Sequence, residues 1–251
     1  MRSFFIAVQF LTRLQVPGHR DVEGREMPRA TTFFPLVGLL IGLSTALAIE
    51  ALSLLWPALL AVLLALALEA LLTGGLHEDA VADFFDAFGG GWTREDILRI
   101  LKDSRLGSYG ALALFLAVLL RAGSLLELSG AELLAASALA GGLGRFMTVL
   151  FMAALPPAQD RPGLASDVGQ EIGGRHVVAA GLWLTPALAA MAWLQPAHLA
   201  LAAVLVALAA GWVYRTLRRR LGGSTGDALG CVCYLTQVAV LLAAAARLPT
   251  P

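Results

Sequence analysis

The chain alternates long apolar runs with short polar breaks, and seven runs stand out, at about 33–55, 57–73, 108–127, 131–155, 177–194, 197–214 and 228–246. Each approaches the roughly 20 residues that a helix needs to cross a hydrocarbon layer of about 30 Å. Ahead of them, Phe4, Phe5, Val8, Leu11 and Leu14 recur at near-helical spacing. Residues 1–16 are too few to span, so they predict an interfacial or re-entrant helix, ended by Val16-Pro17-Gly18. The expected fold is all-α. It is a polytopic transmembrane helix bundle of about seven spans plus the N-terminal helix, forming a single integral-membrane domain over 1–251.

Composition agrees with this pattern. Hydrophobic residues make up 58% and charged residues only 14%, against a usual charged share of about 25%. Lys+Arg and Asp+Glu balance at 18 each, so no basic excess points to nucleic acid. Cys231 and Cys233 lie two apart in an apolar run, where helical geometry turns them to different sides and predicts no disulfide between them. Arg13 interrupts the N-terminal apolar stretch, and no removable signal peptide is expected. The connectors Trp56-Pro57, Leu128 to Gly130 and Gln195-Pro196 carry no Arg or Lys, whereas the alternate loops carry nearly all of it. The positive-inside rule then places the N-terminus and the charged loops in the cytoplasm.

The densest acid in this oily chain is TGGLHEDAVADFFDAFGGGW, Thr73 to Trp92. Asp79, Asp83 and Asp86 stand at i, i+4 and i+7, which puts their carboxylates on one helix face. Between them lie Val81, Ala82, Phe84, Phe85, Ala87 and Phe88, so the other faces want burial or lipid and the acids point into a cleft. Three carboxylates on one stripe repel one another unless a cation joins them. Mg²⁺ fits, because it takes oxygen ligands and shares one or two carboxylates with substrate phosphates. The expected metal ligands are Glu78, Asp79, Asp83 and Asp86.

Two further clusters fall on the same side. In Lys102-Asp103-Ser104-Arg105, the cations offer donors to phosphate oxygens and Asp103 adds a carboxylate. In Gly222-Gly223-Ser224-Thr225-Gly226-Asp227, glycines ahead of a helix start make an anion site from backbone amides. Asp227 is there either a ligand or a helix cap. No P-loop lysine is present, which argues against ATPase chemistry. Within the spans, Arg145 follows Gly141-Gly142-Leu143-Gly144 and faces inward as a phosphate contact. Glu50, Glu69, Arg121 and Glu127 read as near-interface groups that snorkel or pair.

These pieces resemble the cobalamin synthases, the adenosylcobinamide-GDP ribazoletransferases. The resemblance rests on FLTRLQVP (Phe10 to Pro17), FFPLVGLLIG (Phe33 to Gly42), GGLHEDAVADFFDAFGGG, ILKDSRLGSYG (Ile100 to Gly110), Gly144-Arg145, Arg161 to Leu164, and GGSTGDALG. They occur in the family's order over nearly the whole chain. Ala80 and Ala87 stand where that family usually has glycine.

The resemblance implies a membrane transferase of late vitamin B12 assembly that needs a divalent metal. It joins adenosylcobinamide-GDP to α-ribazole, or its 5′-phosphate, and releases GMP. Carried onto this chain, Asp79, Asp83, Asp86 or Asp103 takes the catalytic proton. Lys102, Ser104, Arg105, Arg145, Gly222, Gly223, Thr225 and Asp227 hold substrate. The lipid bilayer is a partner, and the sequence leaves open a homo-oligomer or contact with other cobalamin-assembly enzymes. A CDP-alcohol phosphatidyltransferase is the nearest rival, but no Ala-Arg follows Asp79 as that motif requires. A metal-ion transporter predicts acids on both sides of the midplane, whereas here they gather on one side.

Overall fold

A computed structural model of the chain describes residues 2–16, 26–158 and 172–248. Twelve helices lie among the described residues, and the strand-like pairing there is a single bridge between Pro157 and Ser224. Helix α1 is Arg2–Leu11, α2 Met27–Thr31, α3 Phe34–Leu52, α4 Ala58–Thr73, α5 Leu76–Gly90 and α6 Arg94–Ile100. Then come α7 Ser108–Leu126, α8 Gly130–Ala154, α9 Gly174–Leu182, α10 Thr185–Leu194, α11 Pro196–Arg220 and α12 Gly226–Ala244.

Five helices, α3, α7, α8, α11 and α12, are each long and apolar enough to cross a membrane, and counting two bent pairs raises the number to seven. The all-α polytopic bundle expected from the sequence is therefore present. Helices α8 and α12 form its centre: 72% and 78% of their most apolar stretches are buried, against 22% in α11. Helix α4 turns Ala61, Ala65, Glu69 and Thr73 inward at four-residue intervals, and presents Leu60, Leu64, Leu68 and Leu71 outward. That division suits a helix with protein on one side and lipid on the other.

Helices α3 and α8 approach most closely. A Cβ added at Gly38 would run into the Gly141 carbonyl, one at Gly42 into that of Ser137, and one at Gly141 into that of Gly38. Small residues four apart on both helices allow this backbone contact.

One expected span is broken, and another meets a sharp turn where it ends. The run at 57–73 ends at Gly74 and Gly75, both left-handed at φ 73° and 70°, and α5 leaves at 88° to α4. Successive left-handed residues are cheap only for glycine. The run at 177–194 bends by 50° between α9 and α10, where Pro186 follows Thr185 and cannot continue the amide ladder. Helix α1 ends at Leu11, earlier than expected, because Thr12 turns its hydroxyl back to the Val8 carbonyl at 2.7 Å and the Arg13 amide donates to Leu72 of α4 at 2.7 Å. Pro17 and Gly18 lie outside the described residues, as does Arg161 to Leu164. Both cysteines are buried and unbridged.

The two ends of the bundle differ. At one, the Gly130 amide donates to Glu50 and His198 meets the Ala246 carbonyl, joining the connectors that carry no cation. At the other, Arg94 donates to Ala158 and Leu221, and Arg220 donates to Phe88 and Gly91. All three sequence clusters sit at this second end.

Candidate active site

Helix α5 is held by its apolar face. Val81, Phe84, Ala87 and Phe88 are buried. Phe84 stacks on Phe88 at 4.4 Å and meets Trp212 of α11 edge-on at 5.9 Å. Arg220 caps the far end of α5 through the Phe88 carbonyl, a favourable place for a cation at a helix C-terminus. Ala80 packs at Gly230 of α12, where any side chain would strike its methyl group.

With that face buried, Asp79 is exposed and Asp83 and Asp86 are half-buried. Asp79, Asp86 and Asp227 all lie close enough to Asp83 for their charges to act on it. The structure thus gathers the three predicted aspartates and adds Asp227 from the first turn of α12. Asp227 is not the cap of that helix. Thr225 is, its hydroxyl accepting the Ala228 amide at 3.3 Å.

The carboxylates are not equivalent. Asp86 accepts the amides of Gly107 at 2.7 Å and Gly110 at 2.8 Å. These belong to the first turn of α7, so the carboxylate meets a positive helix end. Glycine is required at both positions, since a Cβ at either would enter the carboxylate. Glu78 turns inward, with Oε1 3.8 Å from Arg121.

The remaining predicted residues divide. Arg105 pairs with Asp103 at 2.6 Å, and its side chain is 86% exposed. The hydrogen bonds from Arg105 hold the Asp103 carboxyl down at about 2. A base works best near the operating pH, and this pairing makes Asp103 a weaker base. Lys102 and Ser104 are exposed. Arg145 is 1% exposed, with Nη1 donating to the Gly141 carbonyl at 3.3 Å and Nε without a partner. The glycine loop docks on the segment after α8: the Ser224 amide donates to Pro156 at 2.8 Å and the Ala158 amide to Ser224 at 2.9 Å. Gly222 takes φ 77°, its amide donates to Leu217, and Gly223 packs against Ala158. Two of the amides expected to cradle phosphate are therefore engaged within the protein.

Two hollows meet at Asp79. The larger, about 630 Å³, lies between Arg13, the Gly74-Gly75 turn and Leu106. The smaller, about 160 Å³, lies between His77, Thr148, Met152 and Asp227. Asp79, Phe10 and Leu76 border both.

One polar network escaped the sequence reading. Glu69 and Arg121 do pair, but deep in the bundle, at 2.7 Å and about 5% exposure each. Thr45 donates to the same carboxylate at 2.6 Å, and Arg121 lies over the Tyr234 ring at 5.4 Å. The available signal was an acid and a base inside apolar runs. Nothing in the spacing matched partners 52 residues apart.

Among the described residues, no three His, Cys, Asp or Glu side chains form a ready-made chelate. That donor set fits an ion carried in with a phosphate ligand, which needs only one or two carboxylates. Asp79 and Asp83 are the best placed, because Asp86 is already engaged.

The chain is 40% identical to the adenosylcobinamide-GDP ribazoletransferase of Leptothrix cholodnii, over 96% of this chain and 94% of the relative. It is 37% identical to the protein of the same name from Shewanella frigidimarina, over 96% and 95%. No solved structure matches. The sequence profile described as cobalamin-5-phosphate synthase matches residues 3–245, and the chain belongs to that family.

Proposed function

We propose that the protein is an adenosylcobinamide-GDP ribazoletransferase. It joins adenosylcobinamide-GDP to α-ribazole, or α-ribazole 5′-phosphate, giving adenosylcobalamin or its 5′-phosphate and GMP. The observation that carries this reading is the family match over nearly the whole chain. The gathering of Asp79, Asp83, Asp86 and Asp227 at one end of a membrane bundle supplies the chemistry.

The ribazole hydroxyl oxygen attacks the cobinamide-side phosphorus of the diphosphate. The bond from that phosphorus to the bridging oxygen breaks, and GMP leaves with the bridging oxygen and the electron pair. The hydroxyl proton passes to a carboxylate of α5, because pairing with Arg105 leaves Asp103 the weaker base. Asp79 and Asp83 would hold Mg²⁺, which when bound supplies neutralisation of charge on the diphosphate oxygens. Asp86 fixes the first turn of α7 against α5 and so places the Lys102–Gly107 loop beside the acids.

The bundle lies in the cytoplasmic membrane with this end facing the cytoplasm. Support comes from the cations of the loops at this end, among them Arg94, Arg99, Lys102 and Arg218 to Arg220. A nucleotide-linked substrate arrives from that side.

The test is Asp83→Asn in membranes, assayed for GMP release from adenosylcobinamide-GDP with ribazole and Mg²⁺. The expected result is a loss of about a hundredfold or more, as for removal of a group that stabilises transition-state charge. Near-normal release would remove Asp83 from the mechanism. Absence of release by the unaltered protein would overturn the assignment of the reaction.

A further inference from the structure

We infer that Arg13 grips the diphosphate of the nucleotide conjugate in the larger hollow beside Asp79. The assignment rests on the reaction proposed above and names a residue for a task expected of Lys102, Arg105 and Arg145. A diphosphate entering a cluster of aspartates is repelled unless fixed positive charge stands nearby. The cations nominated by sequence do not line this hollow: Arg105 is turned out to Asp103 and Arg145 is sealed in the core. Arg13 does line it, opposite Leu106 and together with Asp79, and it is the one cation among the lining residues.

Its placement is built rather than incidental. The Arg13 amide donates to the Leu72 carbonyl at 2.7 Å, which pins the residue to the last turn of α4. The side chain then runs across the α4–α5 turn so closely that a Cβ at Gly74 would touch Nε. Among the described residues no carboxylate pairs with the exposed guanidinium. A free guanidinium beside an open hollow presents paired N–H donors that match two phosphate oxygens. Because the backbone bond to Leu72 is independent of the side chain, replacing the guanidinium leaves the anchor in place.

The experiment compares Arg13→Gln and Arg13→Lys with the unaltered full-length protein in lipid nanodiscs. KM is measured separately for adenosylcobinamide-GDP, α-ribazole and α-ribazole 5′-phosphate, and binding of inorganic pyrophosphate is measured by calorimetry. Loss of a charge-assisted hydrogen bond predicts that Arg13→Gln raises KM for adenosylcobinamide-GDP and weakens pyrophosphate binding, each by about ten- to a hundredfold. Arg13→Lys recovers part of both, and the two ribazole constants stay put. An unchanged pyrophosphate affinity overturns the assignment. So does a rise confined to α-ribazole 5′-phosphate, which would give the guanidinium to the other substrate. Pyrophosphate binding needs no turnover, so it tests Arg13 even if the protein releases no GMP.

Discussion

The Asp86 carboxylate receives the Gly107 amide at 2.7 Å, joining the acidic helix to the loop that carries Lys102 and Arg105. Two motifs that sequence reads as separate contributors to one site are thereby a single mechanical unit. Asp86→Ala removes the cap of α7 and should lower stability by about 1–2 kcal/mol. It should also speed trypsin cleavage after Lys102 and Arg105. If GMP release falls while melting and proteolysis stay unchanged, Asp86 acts in chemistry and not as this link.

The buried pair of Glu69 and Arg121 predicts a strong asymmetry between single and double replacements. Arg121→Leu leaves Glu69 without its cation among apolar helices and should cost about 3–5 kcal/mol, whereas Glu69→Leu leaves Arg121 only the longer 3.8 Å contact with Glu78 and should also destabilise. The double variant should recover most of that. Thermal unfolding in detergent measures all three, and additive losses would show the two side chains to be uncoupled.

The Gly74-Gly75 turn separates backbone cost from contact cost. Alanine at either position meets a left-handed conformation worth about 1–2 kcal/mol. A Cβ at Gly75 touches nothing within 4 Å, whereas one at Gly74 displaces Arg13. Both variants should melt earlier, and Gly74→Ala should show the larger rise in KM for adenosylcobinamide-GDP. Equal KM values would separate Arg13 from the turn.

Asp103 fixes the sign of one pH effect. Its carboxyl is depressed from 3.8 to about 2 by Arg105, so its pairing stabilises the loop above the ordinary carboxylate range. That contribution fades as pH falls toward about 2. Between pH 5 and 8 it does not titrate, and Asp103→Asn should leave the shape of the pH–rate curve unchanged (roughly the neutral range in which a general base works). A shift of the acid limb on that substitution would restore Asp103 as a proton acceptor.

Much of this was legible in the chain. The apolar runs gave the spans, and the i, i+4, i+7 spacing put Asp79, Asp83 and Asp86 on one face of α5. The bend at Pro186 was less legible, because it interrupts a run whose hydropathy continues through it. The surroundings of the cations were not legible either. Sequence shows that Arg105 lies beside a phosphate-binding pattern, yet its nearest acid, Asp103, is two residues away and takes it. Arg13 sits 66 positions before Asp79 in the chain. Only the fold, through the hydrogen bond from its amide to the Leu72 carbonyl, sets it against the same hollow.

The contact of Gly38 and Gly42 with α8 has its own consequence for genetics. These positions carry no charge and border neither hollow at Asp79, yet a single added methyl there pushes two central backbones apart. Inactive variants recovered from random mutagenesis will therefore fall into two groups of equal severity, one that never assembles and one that assembles and fails to react. Protein level in the membrane, measured beside activity, is what tells them apart.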